Sequence, residues 1–218
     1  MENERKIGIL GSGNVGQALG SGFARHGWDV MIGSRTPESP KLKEWRAAVG
    51  RRSQTGTFAE TAAYGDVVLL ATLGAAMDDV LVLAGPPNFK GKLVLDAMNP
   101  IDYPGGEPYG LFLGTTDSLG ERVQRALPDA HVVKCFNAVN NSQMIDPKFA
   151  EGTPPMFICG DDPAAKKRTE AILRELGWPG VFDVGGIDAA RWLEALVPLF
   201  IRAATVLDTV RHAIKVVT

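Results

Sequence analysis

A glycine-rich turn, GSGNVG at residues 11–16, constrains this chain more than any other feature of its sequence. It follows a short apolar run at residues 5–10 and begins an amphipathic segment at residues 14–25. A second apolar run, residues 28–32, comes directly after Gly27, so the pattern predicts a strand, a helix and a second strand. In such a turn the first glycine permits the bend, the second lets a pyrophosphate approach the backbone, and the third lets helix and strand pack closely. The motif therefore predicts a dinucleotide-binding βαβ unit.

The rest of the chain continues the alternation of strands and helices. Helical patterns separate most of four further apolar runs, at residues 67–71, 93–96, 131–136 and 156–159. This order predicts an α/β fold of the Rossmann type, with a doubly wound, mostly parallel sheet. We expect a dinucleotide-binding domain at residues 1–150 and a small strand-and-helix extension at residues 151–218 that packs on it. At 218 residues the two parts fit one compact unit.

Two regions depart from this alternation. Residues 99–116 are rich in Gly and Pro and predict a long loop of the kind that often has a functional role. Near the end of the chain, apolar residues at helical spacing predict a long amphipathic helix, bent near Pro198. The apolar positions are Leu193, Leu196, Val197, Phe200, Ile201, Ala204 and Leu207. A stripe of this size predicts that the protein forms a homodimer, although it could also simply cover the sheet.

Composition and charge exclude several classes of protein. A formal net charge of −2 argues against nucleic-acid binding, which depends on a basic surface. The chain has no apolar segment of the roughly 20 residues that cross a membrane, and its first residues do not resemble a signal peptide. Cys135 and Cys159 lie in apolar stretches and lack the spacing of a metal or redox site, so we expect buried thiols and no metal site. These features predict a cytoplasmic protein with no membrane partner.

The residues after the second strand indicate which dinucleotide is bound. NAD-binding proteins have an Asp or Glu about 20 residues beyond the glycine motif, where it accepts hydrogen bonds from ribose hydroxyls. This chain has Gly33, Ser34 and Arg35 there, and the first acid is Glu38. A hydroxyl and a guanidinium can bind a 2′-phosphate, whereas a carboxylate repels it. We therefore expect NADP(H) as the cofactor; the alternative interpretation of Arg35 is a solvated loop arginine.

Three strand ends supply candidates for the nicotinamide end of the site. Doubly wound sheets bind ligands at the carboxyl ends of their strands. The candidates that follow the three predicted strands are Thr72 and Leu73, then Met98, Asn99 and Pro100, and finally Asn137 and Ala138. The Asn137 amide suits a carboxamide or a substrate carbonyl. Ordinary loop, turn and capping roles are the alternative for all of them.

No residue is identified as a catalytic acid or base. His26 is predicted at a helix end, His131 at a strand start and His212 in the terminal helix, and none of these places suggests catalysis. None of the three tyrosines, Tyr64, Tyr103 and Tyr109, has the lysine four residues later that would make an acid pair. Reduction of a simple ketone needs a proton donor, whereas a flavin-like ring carries its own acid–base groups. A small planar redox acceptor is therefore favoured.

Longer motifs point to a known family. The segments IGILGSGNVGQALGSGFARHGWDVMIGSR, VVKCFNAVN, CGDDPAAKK and GGIDAARWLEAL resemble the coenzyme F420-dependent NADP oxidoreductase family, whose fold also recurs in the cytoplasmic part of STEAP ferric reductases. The resemblance implies that Gly11, Ser12, Gly13, Asn14, Val15, Ser34 and Arg35 hold NADP. It also implies that Thr72, Leu73, Met98, Asn99 and Pro100 line the nicotinamide, and that Asn137 and Ala138 face the hydride partner.

The resemblance implies hydride transfer between NADP(H) and coenzyme F420 or a flavin-like compound. Residues 99–116 depart from what is expected around a deazaflavin, which leaves the acceptor and the role of this segment open. One alternative is an imine or β-hydroxyacid reductase, although residues 185–199 contain no lysine to serve as its donor. The other is a non-catalytic sensor of NADPH.

Overall fold

The computed structural model describes residues 5–102 and 110–217. Within them lie ten strands: β1 (Lys6–Leu10), β2 (Asp29–Gly33), β3 (Ser53–Gly56), β4 (Val67–Leu70), β5 (Leu93–Asp96), β6 (Ile101–Asp102), β7 (Gly110–Leu111), β8 (His131–Lys134), β9 (Met156–Ile158) and β10 (Val181–Asp183). The same residues form seven α-helices: α1 (Asn14–Arg25), α2 (Pro40–Val49), α3 (Phe58–Tyr64), α4 (Met77–Ala84), α5 (Leu119–Ala126), α6 (Pro163–Glu175) and α7 (Ala190–Leu207). Short 3-10 turns begin at Gly74, Pro86, Asn141 and Ile187.

The central sheet has six parallel strands in the order β3-β2-β1-β4-β5-β8. Its middle strands are mostly apolar, and β4, with the sequence VVLL, is apolar along its whole length, because helices cover both faces of the sheet. The chain runs outward in one direction from β1 to β3 and in the other from β4 to β8, so the strand order reverses between β1 and β4. A crevice is expected outside the carboxyl ends of these two strands. The predicted Rossmann-type fold is confirmed.

Strand β3 departs from the apolar pattern of the sequence, and β9 and β10 lie outside the main sheet. Strand β3 has the polar sequence SQTG, and it is held at the sheet edge by its backbone pairing with β2. The apolar run at residues 156–159 forms β9, which pairs with β10 in a separate two-stranded parallel sheet. An antiparallel bridge between Lys134 and Cys159 joins that small sheet to the edge of β8.

The glycine- and proline-rich region is not a continuous loop, which corrects the prediction for residues 99–116. Ile101 pairs with Leu111 and Asp102 with Gly110, so β6 and β7 form a two-stranded antiparallel sheet. Two backbone segments of this region are therefore held in a fixed register. Tyr103 and Tyr109 lie outside the described residues.

The C-terminal extension shares a hydrophobic core with the central sheet. Leu173 of α6 and Trp178 belong to the same buried cluster as Ile9 of β1. Leu193, Val197 and Phe200 of α7 are buried within the chain, whereas Leu207 is exposed. His212 lies beyond α7 rather than in it, which corrects its predicted place, and its ring stacks on that of Phe200 with the centroids 4.2 Å apart. The boundary at residue 150 and the bend at Pro198 stay predictions.

The lengths and apolar character of the helices bear on whether any of them could span a membrane. Among those formed by the described residues, none combines the length and the apolar character required to cross a lipid bilayer.

Candidate dinucleotide site and its polar framework

A cavity of about 1070 Å³ opens where β1 and β4 end. The turn after β1, the residues after β2 and the residues after β4 form its wall, and α3 and α4 complete it. The lining residues are Gly11, Ser12, Gly13, Asn14, Val15, Ser34, Arg35, Thr36, Phe58, Ala71, Thr72, Leu73, Ala76, Asp79, Val80, Val82 and Leu83. The cavity therefore lies at the reversal of strand order, where an open α/β sheet binds its ligand.

The three glycines of the turn meet three different surroundings. Gly11 has φ +133°, and a Cβ there would collide with the carbonyl oxygen of Ala71. A Cβ on Gly16 would collide with the carbonyl oxygen of Gly11, whereas a Cβ on Gly13 would meet nothing within 4 Å. Gly11 and Gly16 therefore keep the turn tight. Gly13 leaves open space in front of the backbone, as an approaching pyrophosphate requires.

The first turn of α1 suits an anion. Its N-cap, Gly13, has no side chain to accept hydrogen bonds from the first N–H groups of this 12-residue helix. Those donors and the partial positive charge of the helix N-terminus therefore face the open space at Gly13. The Gln17 side chain donates to the Ser12 carbonyl oxygen at 2.9 Å and braces the turn. The residues present fit the diphosphate of a dinucleotide.

Ser34 and Arg35 stand at the end of β2 on the same cavity. The Ser34 hydroxyl accepts hydrogen bonds from the Ser12 hydroxyl at 3.3 Å and from the Thr36 backbone N–H at 3.1 Å. Arg35 is exposed and forms no ion pair with the part of the chain that the structure describes. Glu38, the first acid after β2, lies 3.6 Å from the Lys43 ammonium. A cation is thus available beside the cavity, and the nearest acid in sequence interacts elsewhere.

The nicotinamide candidates divide into two groups. Thr72 and Leu73 line the cavity, and Leu73 is 67% exposed. Met98 is buried directly behind this wall, where its sulfur accepts a hydrogen bond from the Thr72 hydroxyl at 3.2 Å. Asn99 packs against Gly74 and donates from Nδ2 to the Asn137 carbonyl oxygen at 3.2 Å. The turn formed by Met98, Asn99 and Pro100 therefore supports the cavity wall and is not among the residues that line it.

The structure does not bring Asn137 and Ala138 to this cavity. They line a separate small cavity with residues that include Pro154, Ala213 and Ile214. The Asn137 side chain donates from Nδ2 to the Leu193 carbonyl oxygen of α7. Its amide is engaged in joining the end of β8 to the C-terminal helix, a role that sequence could not distinguish from ligand binding.

An ionic cluster that the sequence analysis missed lies behind the same wall. The Lys134 ammonium is 3.0 Å from Asp96 Oδ2 and 2.7 Å from Glu194 Oε1, and all three side chains are almost completely buried. Burial alone would lower the pKa of Lys134, but the two carboxylates more than compensate and raise it. Burial also raises the pKa of Glu194, with Lys134 opposing the shift. The one sign of this cluster in the sequence was a lysine at the end of the apolar run HVVK.

The two cysteines are confirmed as buried free thiols. Burial raises the pKa of Cys135 well above its ordinary value and raises that of Cys159 to about 12. Thiolate, the reactive form, is therefore disfavoured at both positions. Within residues 5–102 and 110–217, no group of three His, Cys, Asp or Glu side chains could hold a metal ion.

Comparison with known proteins identifies the family. The model of the family described as NADP oxidoreductase, coenzyme F420-dependent, matches residues 6–100. A crystal structure from Arthrobacter sp. FB24, of a protein described as a candidate F420-dependent NADP reductase, superposes with a TM-score of 0.92. It is 37% identical in sequence, over 97% of this chain and 99% of that one. The chain belongs to the coenzyme F420-dependent NADP oxidoreductase family. The family is one of NADP-dependent oxidoreductases, which agrees with the NADP(H) prediction made from Ser34 and Arg35.

Two curated relatives show the range of the family. The F420-dependent NADP reductase of Methanocaldococcus jannaschii is 26% identical over 211 residues, which is 90% of this chain and 91% of that protein. The metalloreductase STEAP3 of Rattus norvegicus is 26% identical over 191 residues. This match covers 88% of the present chain and 36% of STEAP3, so the chain spans about a third of that relative's length.

Proposed function

We propose that this protein transfers a hydride between NADP(H) and a planar ring acceptor, either coenzyme F420 or a flavin-like compound. The observation that carries the proposal is the chemistry of the cavity wall. Among the described residues that line the cavity, only Arg35 and Asp79 have side chains that ionise. Both are exposed, and Arg35 is assigned to the cofactor's phosphate. The wall thus lacks a sheltered proton donor of the kind that ketone reduction requires, whereas a flavin-like ring brings its own acid–base groups.

Different groups of residues at the cavity bind different parts of the cofactor. Gly11, Ser12, Gly13, Asn14 and Val15 hold the pyrophosphate at the N-terminus of α1, and Ser34 and Arg35 hold the 2′-phosphate. Thr72 and Leu73 contact the nicotinamide end, with Met98, Asn99 and Pro100 behind them. Bound NADPH supplies the hydride. The protein's own contribution is to hold the two rings in contact, because alignment at about 3–3.5 Å accounts for much of the rate of such a transfer.

The buried thiols bear on where the protein works. Cys135 and Cys159 are both reduced and lie in the core. Disulfides are rare in reducing compartments, where free cysteines of this kind persist. We therefore place the activity in the cytoplasm.

An acceptor screen tests the proposal. Purified protein and NADPH are combined with coenzyme F420, FMN, FAD, quinones, ferric chelates and small imines, and NADPH oxidation is followed by absorbance. NADPH deuterated at C4 is then used with the fastest acceptor. A deazaflavin keeps the transferred deuterium on ring carbon, so its recovery there demonstrates direct hydride transfer.

Three outcomes separate the candidate functions. Fastest turnover with F420 or a flavin supports the proposal. Fastest turnover with an imine would overturn it in favour of an imine reductase. Tight NADPH binding with slow turnover of every acceptor would indicate a sensor.

A further inference from the structure

The cluster of Lys134, Asp96 and Glu194 is unusual in its position and in its charge. It combines one ammonium group with two carboxyl groups, and each side chain is at least 98% buried. Buried ionic groups lose hydration free energy, and well-packed apolar residues often replace them without loss of stability. The core of this fold therefore does not need such a cluster for stability alone.

The cluster holds the turn after β5 from both sides. Lys134 donates from Nζ to the Met98 carbonyl oxygen at 2.6 Å, and the Met98 backbone N–H donates to Asp96 Oδ1 at 2.9 Å. The Met98 sulfur in turn accepts from the hydroxyl of Thr72, which lines the cavity. A single residue, Met98, thus separates the ionic cluster from the cavity wall.

A second set of contacts ties the same turn to α7. Glu194 accepts hydrogen bonds from the backbone N–H groups of Leu119 at 3.0 Å and Gly120 at 3.1 Å. Its neighbour Leu193 accepts from Asn137, whose own carbonyl oxygen accepts from Asn99. Glu194 therefore belongs to the framework that holds both Met98 and Asn99.

The contacts also define the charge of the cluster. Asp96 accepts one N–H donor on Oδ1 and the Lys134 ammonium on Oδ2. Glu194 accepts two backbone N–H donors in addition to that same ammonium. Donors on both oxygens of each group stabilise the carboxylate form. Burial raises the pKa of Glu194, and the Lys134 ammonium and the backbone donors oppose that shift. With both carboxyl groups ionised, one positive and two negative charges leave a surplus of one negative charge behind the cavity wall.

We propose that this surplus charge makes the cluster a positioning and tuning element for the cofactor, favouring the oxidised nicotinamide over the reduced one. The inference rests on the proposed function, in which the nicotinamide lies against Thr72 and Leu73. The oxidised ring carries a positive charge and the reduced ring is neutral, so a fixed negative charge nearby stabilises the oxidised form selectively. NADPH bound here is thereby a stronger hydride donor than it would be beside a neutral wall.

The test measures binding of both cofactor forms and does not depend on an acceptor. Dissociation constants for NADPH and NADP⁺ are determined by fluorescence titration of the wild type and of Glu194→Gln. For charges about 10–15 Å apart at an effective dielectric constant of about 20–30, loss of one charge changes the ratio of the two constants by about three- to sixteenfold. We expect Glu194→Gln to raise Kd(NADP⁺)/Kd(NADPH) by this factor.

A matched variant separates charge from general damage. Glu121→Gln also removes a largely buried carboxylate near the start of α5, but Glu121 is paired with Arg191 and does not contact Met98. We expect a smaller change in its ratio, because solvent screens the partly exposed pair of Glu121 and Arg191 more than it screens the buried cluster. Asp96→Asn removes the same surplus charge at the other carboxylate. It replaces Glu194→Gln in the test if thermal unfolding shows that Glu194→Gln does not fold.

The outcomes are distinct. An unchanged ratio in the folded Glu194→Gln or Asp96→Asn variant would overturn the inference, and so would an equal weakening of both cofactor forms, because that result indicates structure alone. If the wild type bound neither NADPH nor NADP⁺, the proposed function itself would fail.

Discussion

The Ser12 hydroxyl donates a 3.3 Å hydrogen bond to the Ser34 hydroxyl, joining the glycine turn after β1 to the end of β2. Ser34 is buried, and its oxygen also accepts from the Thr36 backbone N–H. These contacts hold Ser34 in place, whereas Arg35 beside it forms no ion pair with any described residue. The guanidinium is therefore free to bind a phosphate of the cofactor.

We expect the protein to prefer NADPH over NADH by at least about tenfold, because a charge-assisted hydrogen bond contributes roughly 1.5–3 kcal/mol. Arg35→Asp should reverse the preference, since a carboxylate repels the 2′-phosphate and accepts hydrogen bonds from ribose hydroxyls. Dissociation constants for both cofactors measure the effect. Arg51→Asp, at another exposed arginine, is the control and should leave the preference unchanged. Equal affinity of the wild type for NADPH and NADH would contradict the assignment of Arg35.

The same substitution by alanine should reduce stability at Gly16 and cofactor affinity at Gly13. A methyl group at residue 16 collides with backbone at Gly11, so Gly16→Ala should destabilise the fold by about 1–3 kcal/mol. A methyl group at residue 13 meets open space, so Gly13→Ala should keep the wild-type Tm but lose at least about tenfold in NADPH affinity, as loss of about 1.4 kcal/mol implies. Thermal unfolding and cofactor titration distinguish the two. Wild-type affinity in Gly13→Ala would show that the pyrophosphate lies elsewhere.

Cavity shape should matter more for hydride transfer than any histidine. Leu73→Trp places bulk where the nicotinamide is proposed to lie and should slow single-turnover hydride transfer strongly. Ala138→Trp should have a smaller effect, because Ala138 lines a different cavity. His131→Ala should have little effect, because His131 is exposed and lies 3.6 Å from Asp162. A loss of about a thousandfold in His131→Ala, with folding and NADPH affinity intact, would instead reveal a general acid.

The ion pair between Glu121 and Arg191 should contribute to acid sensitivity. Its hydrogen bonds lower the pKa of Glu121 below the ordinary value, so the folded state binds this proton less readily than the unfolded state does. The stabilisation is complete above the unfolded value of about 4.3 and is lost as the pH falls through the lower folded value. Glu121→Gln should therefore flatten the fall in free energy of unfolding below about pH 4.3. Denaturant titrations at several pH values measure this free energy. If Glu121→Gln and the wild type showed the same pH dependence, the assigned stabilisation by the ion pair would be wrong.

The outer face of α7 suggests a homodimer on a surface different from the one that sequence indicated. Leu193, Val197 and Phe200 face the chain's own core, whereas Trp192, Leu199 and Val206 are 60%, 61% and 74% exposed. Their spacing of seven residues is that of a helix–helix seam, which a second copy of α7 would fit. We propose that two chains pair there. Light scattering should give a dimer mass for the wild type and a monomer mass for Leu199→Glu; a monomeric wild type at micromolar concentration would exclude the pairing.

Local sequence determined the strand–turn–helix unit and the fold class, and it predicted NADP(H) as the cofactor. Gly11, Gly13 and Gly16 act within six residues, and β1, β4 and β5 are marked by apolar runs because both of their faces are buried. Strand β3 carried no such mark, since an edge strand of sequence SQTG is held by backbone pairing with β2 rather than by apolar side chains. Short-range patterns report burial and turns, and these are local properties of a chain.

Tertiary structure alone decided which candidates meet. Asn137 and Ala138 follow a strand as Thr72 and Leu73 do, yet a contact with α7, more than 50 residues away, directs the Asn137 side chain from the cavity toward Leu193. Asp96, Lys134 and Glu194 are separated by 38 and 60 residues in sequence and become neighbours only when β5, β8 and α7 pack together. Each is unremarkable in its own segment. A charge can be retained in a core only where its partners are folded around it, and no local pattern records that condition.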